Sequence, residues 1–143
     1  MPLLHATCVE IEGDGILLRG PSGSGKSDLA LRLIDGGAAL VADDQVEVEA
    51  EGAELMARSP APLQGLLEVR GFGLVHLPFL EQVVLRALFD LTPGEVPPRL
   101  PRARTVQIEG LPLPHFSIDP FHASAPALIR IAARAGWQTP DSD

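Results

Sequence analysis

Apolar residues alternate with polar ones in short runs along this chain, and this spacing predicts a protein built mainly of β-strands. The first two runs, residues 4–12 and 15–19, flank Gly13 and Asp14, which predict the turn of a hairpin. A further strand is expected around Glu68. The other predicted strands cover residues 38–42, 45–50, 83–91, 105–108 and 115–118.

The strand predicted from Val83 to Leu91 is the longest. Side chains two positions apart on a strand lie on the same side of the sheet. Val83, Leu85, Ala87 and Phe89 are therefore expected to share one apolar face.

Two segments have the composition of helices. The first covers residues 28–34 and is expected to end at the glycines that follow Asp35. The second runs from 125 to 134, with Ser124 in the N-cap position and a proline in its first turn.

The connections indicate one domain over residues 1–143. Four prolines between residues 92 and 101 predict an ordered loop rather than a linker, and the tail after Trp137 is predicted to be flexible. Because strands outnumber helices, the expected fold class is α/β leaning towards α+β, with a mixed, strand-rich sheet.

Eight residues between the second predicted strand and the first predicted helix match the pattern G-x-x-x-x-G-K-[ST] of a P-loop nucleotide-binding fold. Glycines let successive N–H groups point at an anion, and the following helix adds the positive end of its dipole. The lysine is expected to be exposed and to reach the β- and γ-phosphates, while the serine hydroxyl binds Mg²⁺. The alternative is a glycine-rich turn without a ligand. This phosphate loop comprises Gly20, Pro21, Ser22, Gly23, Ser24, Gly25, Lys26 and Ser27.

Two acidic residues, Asp43 and Asp44, follow the next predicted strand, where P-loop proteins place carboxylates that bind metal or orient water. Neighbouring side chains on extended backbone point to opposite faces, so one of the two is expected to face the phosphates directly. The alternative is a solvated acidic turn, but the position beside the phosphate loop favours a functional role.

Glu68 and Arg70 are predicted to lie on one face of a strand. The carboxylate could complete a Mg²⁺ shell, with the arginine bound to it or to phosphate, or the two could form a structural ion pair. His5 lies in the first β-run, where a lone histidine is more often structural than catalytic. The other three histidines lack the spacing of a zinc site.

Composition narrows the possible partners. The chain has 19 acidic and 11 basic side chains, and a net charge of −8 repels nucleic acid. No apolar run approaches the roughly 20 residues that a spanning helix needs, and residues 1–4 lack the features of a signal peptide. The single cysteine, Cys8, cannot form an internal disulfide and is expected to be an ordinary strand residue. These features predict a cytoplasmic protein that binds neither nucleic acid nor membrane.

Two segments of the sequence resemble one bacterial enzyme family. Residues 5–47, with the spacing H-x₁₄-G-x-S-G-x-G-K-S followed by L-V-A-D-D-x-V-E, look like the catalytic domain of HPr kinase/phosphorylase. Residues 66–75, L-L-E-V-R-G-F-G-L-V, are similar to that family's signature L-L-E-I-R-G-L-G-I-I. The resemblance is to the catalytic domain alone, without the family's usual N-terminal domain, as in the short form of some proteobacteria.

The resemblance implies roles for the matched residues. His5 would belong to the active site, and Lys26 would bind phosphate. Ser27 and Glu68 would bind Mg²⁺. Asp44 would be the base that takes the proton from the substrate serine and returns it in the reverse reaction.

The resemblance also implies substrates and assembly. The family uses ATP with Mg²⁺ to phosphorylate a serine of HPr, the small phosphocarrier of the sugar phosphotransferase system, and its members are usually homohexamers. An active-site arginine of the family, found in D-R-L-G, would correspond to Arg99 in P-R-L-P on a short, gapped match.

The sequence departs from the family in three places. Residues 119–124, D-P-F-H-A-S, replace the basic loop P-V-R-P-G-R, which is associated with phosphate-dependent dephosphorylation, and contain neither arginine. His76 replaces the signature's terminal asparagine, and the segment 77–84 is shorter than usual. The resemblance therefore favours kinase activity over the reverse reaction.

Three functions follow, in order of preference. The first is an ATP- and Mg²⁺-dependent serine kinase acting on HPr, with weak phosphate-dependent dephosphorylation. The second is a small-molecule or carboxykinase-like kinase, for whose substrate lobes the chain is too short. The third is a non-catalytic nucleotide-sensing module. Phosphate transfer from ATP to HPr distinguishes the first from the others.

Overall fold

The computed structural model describes residues 2–138, and strands dominate this part of the chain. The prediction of a mixed, strand-rich sheet with few helices is confirmed. The strands are β1 (Leu3–Leu4), β2 (Ala6–Ile11), β3 (Asp14–Arg19), β4 (Ala39–Ala42), β5 (Val46–Glu51), β6 (Glu54–Arg58), β7 (Leu66–Val69), β8 (Gly73–His76), β9 (Val83–Leu91), β10 (Arg104–Ile108) and β11 (Leu111–Ile118). The helices are α1 (Lys26–Asp35), α2 (Ala125–Arg134) and a short 3₁₀ helix, Ala61–Leu63.

Strand β9 is the centre of the fold because it pairs with three other strands. Its first residues pair antiparallel with β6, which continues through β5 to β1. The rest of β9 lies parallel between β3 and β11, and this main sheet extends to β2 and β4 on one side and to β10 on the other. The carboxyl ends of β3, β9 and β11 therefore lie at one edge of the sheet.

Two apolar cores lie on opposite faces of the main sheet. On one face, α1 and α2 pack together with Leu67 of β7, and on the other face β5 and β6 complete the core. Phe89 lies in the helix-side core, where its ring stacks on Phe116 at 4.8 Å and meets Trp137 edge-on at 6.2 Å between ring centroids. The two cores fix the main sheet, and with it the edge from which the phosphate loop emerges.

The prediction that β9 turns one apolar face to one core is wrong. Val83 and Leu85 pack in the core against β5 and β6, whereas Ala87 and Phe89 pack on the helix side. The pairing with β3 skips Arg86. One unpaired residue shifts the alternation of side chains by one position, so β9 changes faces at this bulge.

Two local predictions near the ends of elements also need correction. The first hairpin turns at Glu12 and Gly13, one residue earlier than predicted; their φ angles of 50° and 92° suit a two-residue type I′ turn. Ser124 is the N-cap residue of α2, but its backbone is helical and its side chain makes no capping bond. Its hydroxyl lies 2.8 Å from Nδ1 of His122 instead.

The remaining sequence expectations have mixed outcomes. Cys8 is buried in β2, as expected of a strand residue, and burial raises the pKa of its thiol to about 12. Strands β6 and β8 were not predicted. Of the tail predicted to be flexible, residues 139–143 lie outside the described part of the chain. No helix within residues 2–138 combines the length and apolar character needed to cross a membrane.

Candidate functional site

The phosphate loop joins the end of β3 to the start of α1. Its backbone turns at Gly23 and Gly25, whose φ angles of 82° and 98° lie in the left-handed region that favours glycine. None of the described side chains caps the start of α1. The N–H groups of the first helical turn and the positive end of the helix dipole are thus available to an anion.

Lys26 is buried, with 6% of its surface exposed, which contradicts the expectation of an exposed lysine. Its Nζ donates to the carbonyl oxygens of Gly20 at 2.7 Å and Pro21 at 3.2 Å. The ammonium group therefore lies inside the loop and holds its two ends together. This arrangement places a positive charge among the loop's own polar groups.

Ser24 contributes a buried hydroxyl to the phosphate loop. Its Oγ is buried and has no hydrogen-bond partner among the described residues. Gly20 leaves room for it, because a Cβ at that position would lie 2.5 Å from Ser24 Oγ. Buried hydroxyls are nearly always hydrogen-bonded, so this group is available to a polar ligand in the loop.

Asp43, at the end of β4, contacts three different elements. Its Oδ1 accepts hydrogen bonds from Ser27 Oγ at 2.7 Å and from Thr7 Oγ1 at 3.0 Å. Its Oδ2 accepts one from the backbone N–H of Glu68 at 3.0 Å. Asp43 thus connects the phosphate loop, β2 and β7. The sequence analysis treated Asp43 as one of two candidate carboxylates after this strand, without a role distinct from that of Asp44.

Asp44 pairs with His5, which lies between β1 and β2. The distance from His5 Nε2 to Asp44 Oδ1 is 2.6 Å, and both side chains are about half exposed. The backbone carbonyl of Asp44 also accepts a hydrogen bond from the N–H of Ala6 at 3.2 Å. The structure therefore brings together two candidates that are far apart in the sequence.

The backbone at Asp44 is not extended as expected, although only one of the two carboxylates contacts the phosphate loop, as predicted. Its φ is 69°, in the left-handed region, and its N–H donates to Thr7 Oγ1 at 3.2 Å. As a result Asp43 faces Ser27 while Asp44 faces His5. The carboxylate in contact with the phosphate loop is that of Asp43.

Glu68 and Arg70 do not share a strand, because β7 ends at Val69 and Arg70 lies in the turn that follows. Both side chains are exposed, and no ion pair joins them in the described structure. Glu68 nevertheless lies next to Asp43, because its backbone N–H donates to that carboxylate. Arg99 lies exposed between β9 and β10 and contacts none of the other candidates by hydrogen bond or ion pair within residues 2–138.

A polar network that the sequence analysis missed joins the carboxyl ends of β3 and β9 to the middle of β11. Arg19, just before the phosphate loop, donates two hydrogen bonds to Asp90, from Nε at 2.7 Å and Nη2 at 2.9 Å. His115 Nε2 lies 2.6 Å from the same carboxylate. Burial by itself raises the pKa of Asp90, but the bonds from Arg19 and His115 outweigh it and hold that pKa below its usual value.

Asp90→Asn is expected to destabilise the protein at pH 7 but not in acid. The pKa of the Asp90 carboxyl group falls on folding, so its ionised form stabilises the fold at pH values above the unfolded pKa of about 4. This contribution is lost as the pH falls through the lower pKa of the folded state. Urea unfolding at pH 7 and at successively lower pH should show that the difference in free energy of unfolding between variant and wild type becomes smaller. Asp35→Asn, an exposed position at the end of α1, is the control. A difference in free energy of unfolding that stays constant with pH would contradict the prediction.

Comparison with known proteins adds a family model. The model described as HPr Serine kinase C-terminal domain matches residues 2–80. This range contains the phosphate loop and the pair of His5 with Asp44, together with Glu68. Arg99 lies outside it.

Individual relatives agree with that match. HPr kinase/phosphorylase of Clostridium tetani is 47% identical over 77 residues, which cover 54% of this chain and 25% of that protein. The Burkholderia lata protein of the same name is 39% identical over 127 residues, covering 81% of this chain and 39% of the relative. The chain therefore spans between about a quarter and two fifths of these relatives.

A solved structure matches nearly the whole fold. The structure of the Hpr(Ser) kinase/phosphatase from Coxiella burnetii superposes with a TM-score of 0.83 at 27% sequence identity. The match covers 94% of this chain and 95% of that one. The likeness thus extends beyond the region that the family model covers, to the strands and helix after residue 80.

Proposed function

The chain belongs to the family of the HPr serine kinase C-terminal domain, and we propose that it is an ATP- and Mg²⁺-dependent kinase that phosphorylates a serine of an HPr-type phosphocarrier protein. The observation that carries this proposal is the junction formed by Asp43 and Asp44. One carboxylate contacts Ser27 of the phosphate loop, and the next residue pairs with His5. A phosphate site and a candidate base are therefore adjacent, as phosphoryl transfer to a hydroxyl requires.

The phosphate loop would bind the triphosphate of ATP. The N–H groups at the start of α1 would donate hydrogen bonds to the phosphate oxygens, and the unpartnered hydroxyl of Ser24 would gain a hydrogen-bond acceptor. Lys26 now donates to two backbone carbonyls, and its ammonium would exchange them for β- and γ-phosphate oxygens. These contacts bind and orient the nucleotide without forming covalent bonds.

The side chains around Ser27 fit a hard cation that prefers oxygen ligands. Ser27 and Glu68 would hold Mg²⁺, because both border Asp43, through a hydroxyl and a backbone N–H respectively. When bound, Mg²⁺ would neutralise charge on the β- and γ-phosphates. Asp43 would hold the Ser27 hydroxyl and the backbone of Glu68 in fixed positions relative to each other.

Asp44 would act as the base in the forward reaction. Its carboxylate would take the proton of the substrate serine as the serine oxygen attacks the γ-phosphorus and the bond to the leaving ADP breaks. His5 contacts Oδ1 and would leave Oδ2 for the serine hydroxyl. Half of the Asp44 side chain is open to solvent, so a protein substrate would have access to it.

The test is transfer of radiolabelled phosphate from ATP to purified HPr, followed by mapping of the site by mass spectrometry. Label on one serine, lost when that serine is replaced by alanine, is the expected result. Transfer to a metabolite would indicate a small-molecule kinase. ATP binding without transfer to any protein or metabolite would indicate a nucleotide-sensing module.

Assembly and location belong to the same proposal. The family resemblance implies a homohexamer, and light scattering of the purified protein would measure its mass. The net charge of −8 opposes binding to nucleic acid and to anionic membrane surfaces, so a cytoplasmic protein is proposed. Arg99 is proposed as a further active-site residue only on the short resemblance of P-R-L-P to the family's D-R-L-G.

Phosphate-dependent dephosphorylation is expected to be much slower than the kinase reaction. In that reaction phosphate attacks phosphoserine and releases pyrophosphate, so two polyanions meet and fixed cations must offset their repulsion. The loop at 119–124 has no arginine. Arg32 lies beside it but is bound to Asp28 and to the carbonyls of Pro120 and His122.

The measurement is pyrophosphate release from phosphoserine-HPr supplied with phosphate and Mg²⁺, compared with the forward rate. His122→Arg adds a cation to the loop and should raise pyrophosphate release relative to wild type. Wild-type release as fast as ATP-driven phosphorylation would refute the prediction. The positive charge would then come from Arg104, which now donates a hydrogen bond to Ser117, or from an arginine of a neighbouring subunit.

A further inference from the structure

The loop after β11 lies directly against the phosphate loop. A Cβ on Gly25 would fall 2.9 Å from Cζ of Phe121 and 3.2 Å from Cγ of Pro120. The Phe121 ring nevertheless keeps 57% of its surface exposed. A large aromatic side chain is therefore in contact with the nucleotide-binding loop and open on its other side.

The backbone on both sides of Phe121 is fixed to α1. The guanidinium of Arg32 donates to the carbonyl of Pro120, and to that of His122 at 3.5 Å. Arg32 is itself held by an ion pair with Asp28 one turn earlier in α1, at 3.1 Å. The N–H of Phe121 also donates to Oδ1 of Asp119 at 3.0 Å. These bonds hold the backbone that carries the ring, although the ring itself is not buried.

The order of strands indicates which end of the nucleotide lies near this ring. Asp43 and Asp44 follow β4, which lies two strands from β3 on one side of the main sheet, beyond β2. Phe121 follows β11, which lies two strands from β3 on the other side, beyond β9. The γ-phosphate must face the carboxylates for transfer to occur, so the sugar and base leave the phosphate loop towards β9 and β11.

We infer that Phe121 is the surface on which the base of the bound nucleotide stacks. This inference rests on the proposed function, because it requires a nucleoside triphosphate in the phosphate loop. The ligand class is a nucleoside triphosphate, recognised by the π face of its base. Stacking does not depend on the donors and acceptors at the edge of the base, so ATP and GTP should bind with similar affinity.

The first test compares Mg²⁺-ATP with Mg²⁺-tripolyphosphate, which has the three phosphates but no base, by calorimetry. Phe121→Ala should weaken ATP binding roughly 5- to 150-fold, the scale of stacking on one aromatic side chain, and leave tripolyphosphate binding unchanged. Phe121→Tyr should retain ATP affinity. Ile131→Ala, which removes an exposed apolar side chain from α2, is the matched control and should change neither affinity.

The outcomes separate this inference from the proposed function. Equal losses for ATP and tripolyphosphate in Phe121→Ala would overturn the inference, because the ring would then act only by supporting the loop. An unchanged ATP affinity would overturn it as well. A wild-type protein that binds neither compound would overturn the proposed function and this inference with it.

A spectroscopic readout gives a second test that a purely structural role would not affect. In Phe121→Trp, the introduced indole should lose fluorescence when ATP or GTP binds, because a stacked purine quenches it, but not when tripolyphosphate binds. Trp137 is buried against Phe89 and provides a constant background. Equal responses to ATP and tripolyphosphate would count against stacking.

Discussion

Asp44→Asn is expected to lower the rate of phosphate transfer to HPr about a hundredfold or more, the usual scale for loss of a general base. Mg²⁺-ATP affinity should stay close to that of wild type, because the carboxylate in contact with Ser27 is that of Asp43. Asparagine has the same shape as aspartate and can still bond His5, so the turn at Asp44 should survive. Single-turnover transfer rates and calorimetric affinities together provide the measurement.

Asp43→Asn is the informative comparison for this experiment. It weakens the contacts with Ser27, Thr7 and Glu68, so its main effect should be on Mg²⁺-nucleotide affinity. Asp35→Asn, at an exposed position in the last turn of α1, should change neither quantity. If Asp44→Asn is benign and Asp43→Asn abolishes transfer, the two carboxylates have the opposite roles.

Lys26→Ala is expected to remove measurable nucleotide binding and transfer. The ammonium is the one cationic side chain in the phosphate loop, and its loss leaves the triphosphate charge without a direct partner there. The variant should also be less stable, because Lys26 is buried and bonded to the carbonyls of Gly20 and Pro21. Leaving those carbonyls unpaired costs roughly 1–3 kcal/mol.

Lys26→Met separates the two effects. Methionine fills much of the volume of the lysine stem without its charge, so it should recover part of the thermal stability but none of the binding. Thermal melts and ATP titrations of both variants provide the comparison. Near-normal transfer by either variant would show that the phosphate loop is not the nucleotide site.

Features determined by neighbouring residues could be predicted from the sequence. The phosphate loop lies between a strand and a helix as expected, because its glycines and the flanking apolar runs act locally. The strand-rich sheet followed from alternation over short runs. The ends of α2 matched the prediction, but the capping bond of Ser124 did not form because His122, also local, took its hydroxyl.

Features that depend on residues far apart in the sequence could not be predicted. The left-handed backbone at Asp44 is supported by Thr7, 37 positions earlier. The network of Arg19, Asp90 and His115 requires three strands to lie side by side, which no spacing in the sequence reveals. The bulge in β9 depends on how that strand pairs with β3. In each case pairing across the sheet, rather than local propensity, decides the geometry.

The position of Trp137 has a consequence for synthesis of the protein in the cell. Its indole N–H donates to Asp14 at 2.9 Å across 123 positions of sequence, and its ring packs on Phe89 at the centre of the helix-side core. Asp14 and the strands beside it are therefore synthesised well before Trp137. Ribosomes add about 5–20 residues per second, so β2 and β3 emerge several seconds or more before their last packing partner. During that interval a nascent chain exposes apolar strands, and chaperones that hold such strands apart should affect the yield of folded protein more than its final stability.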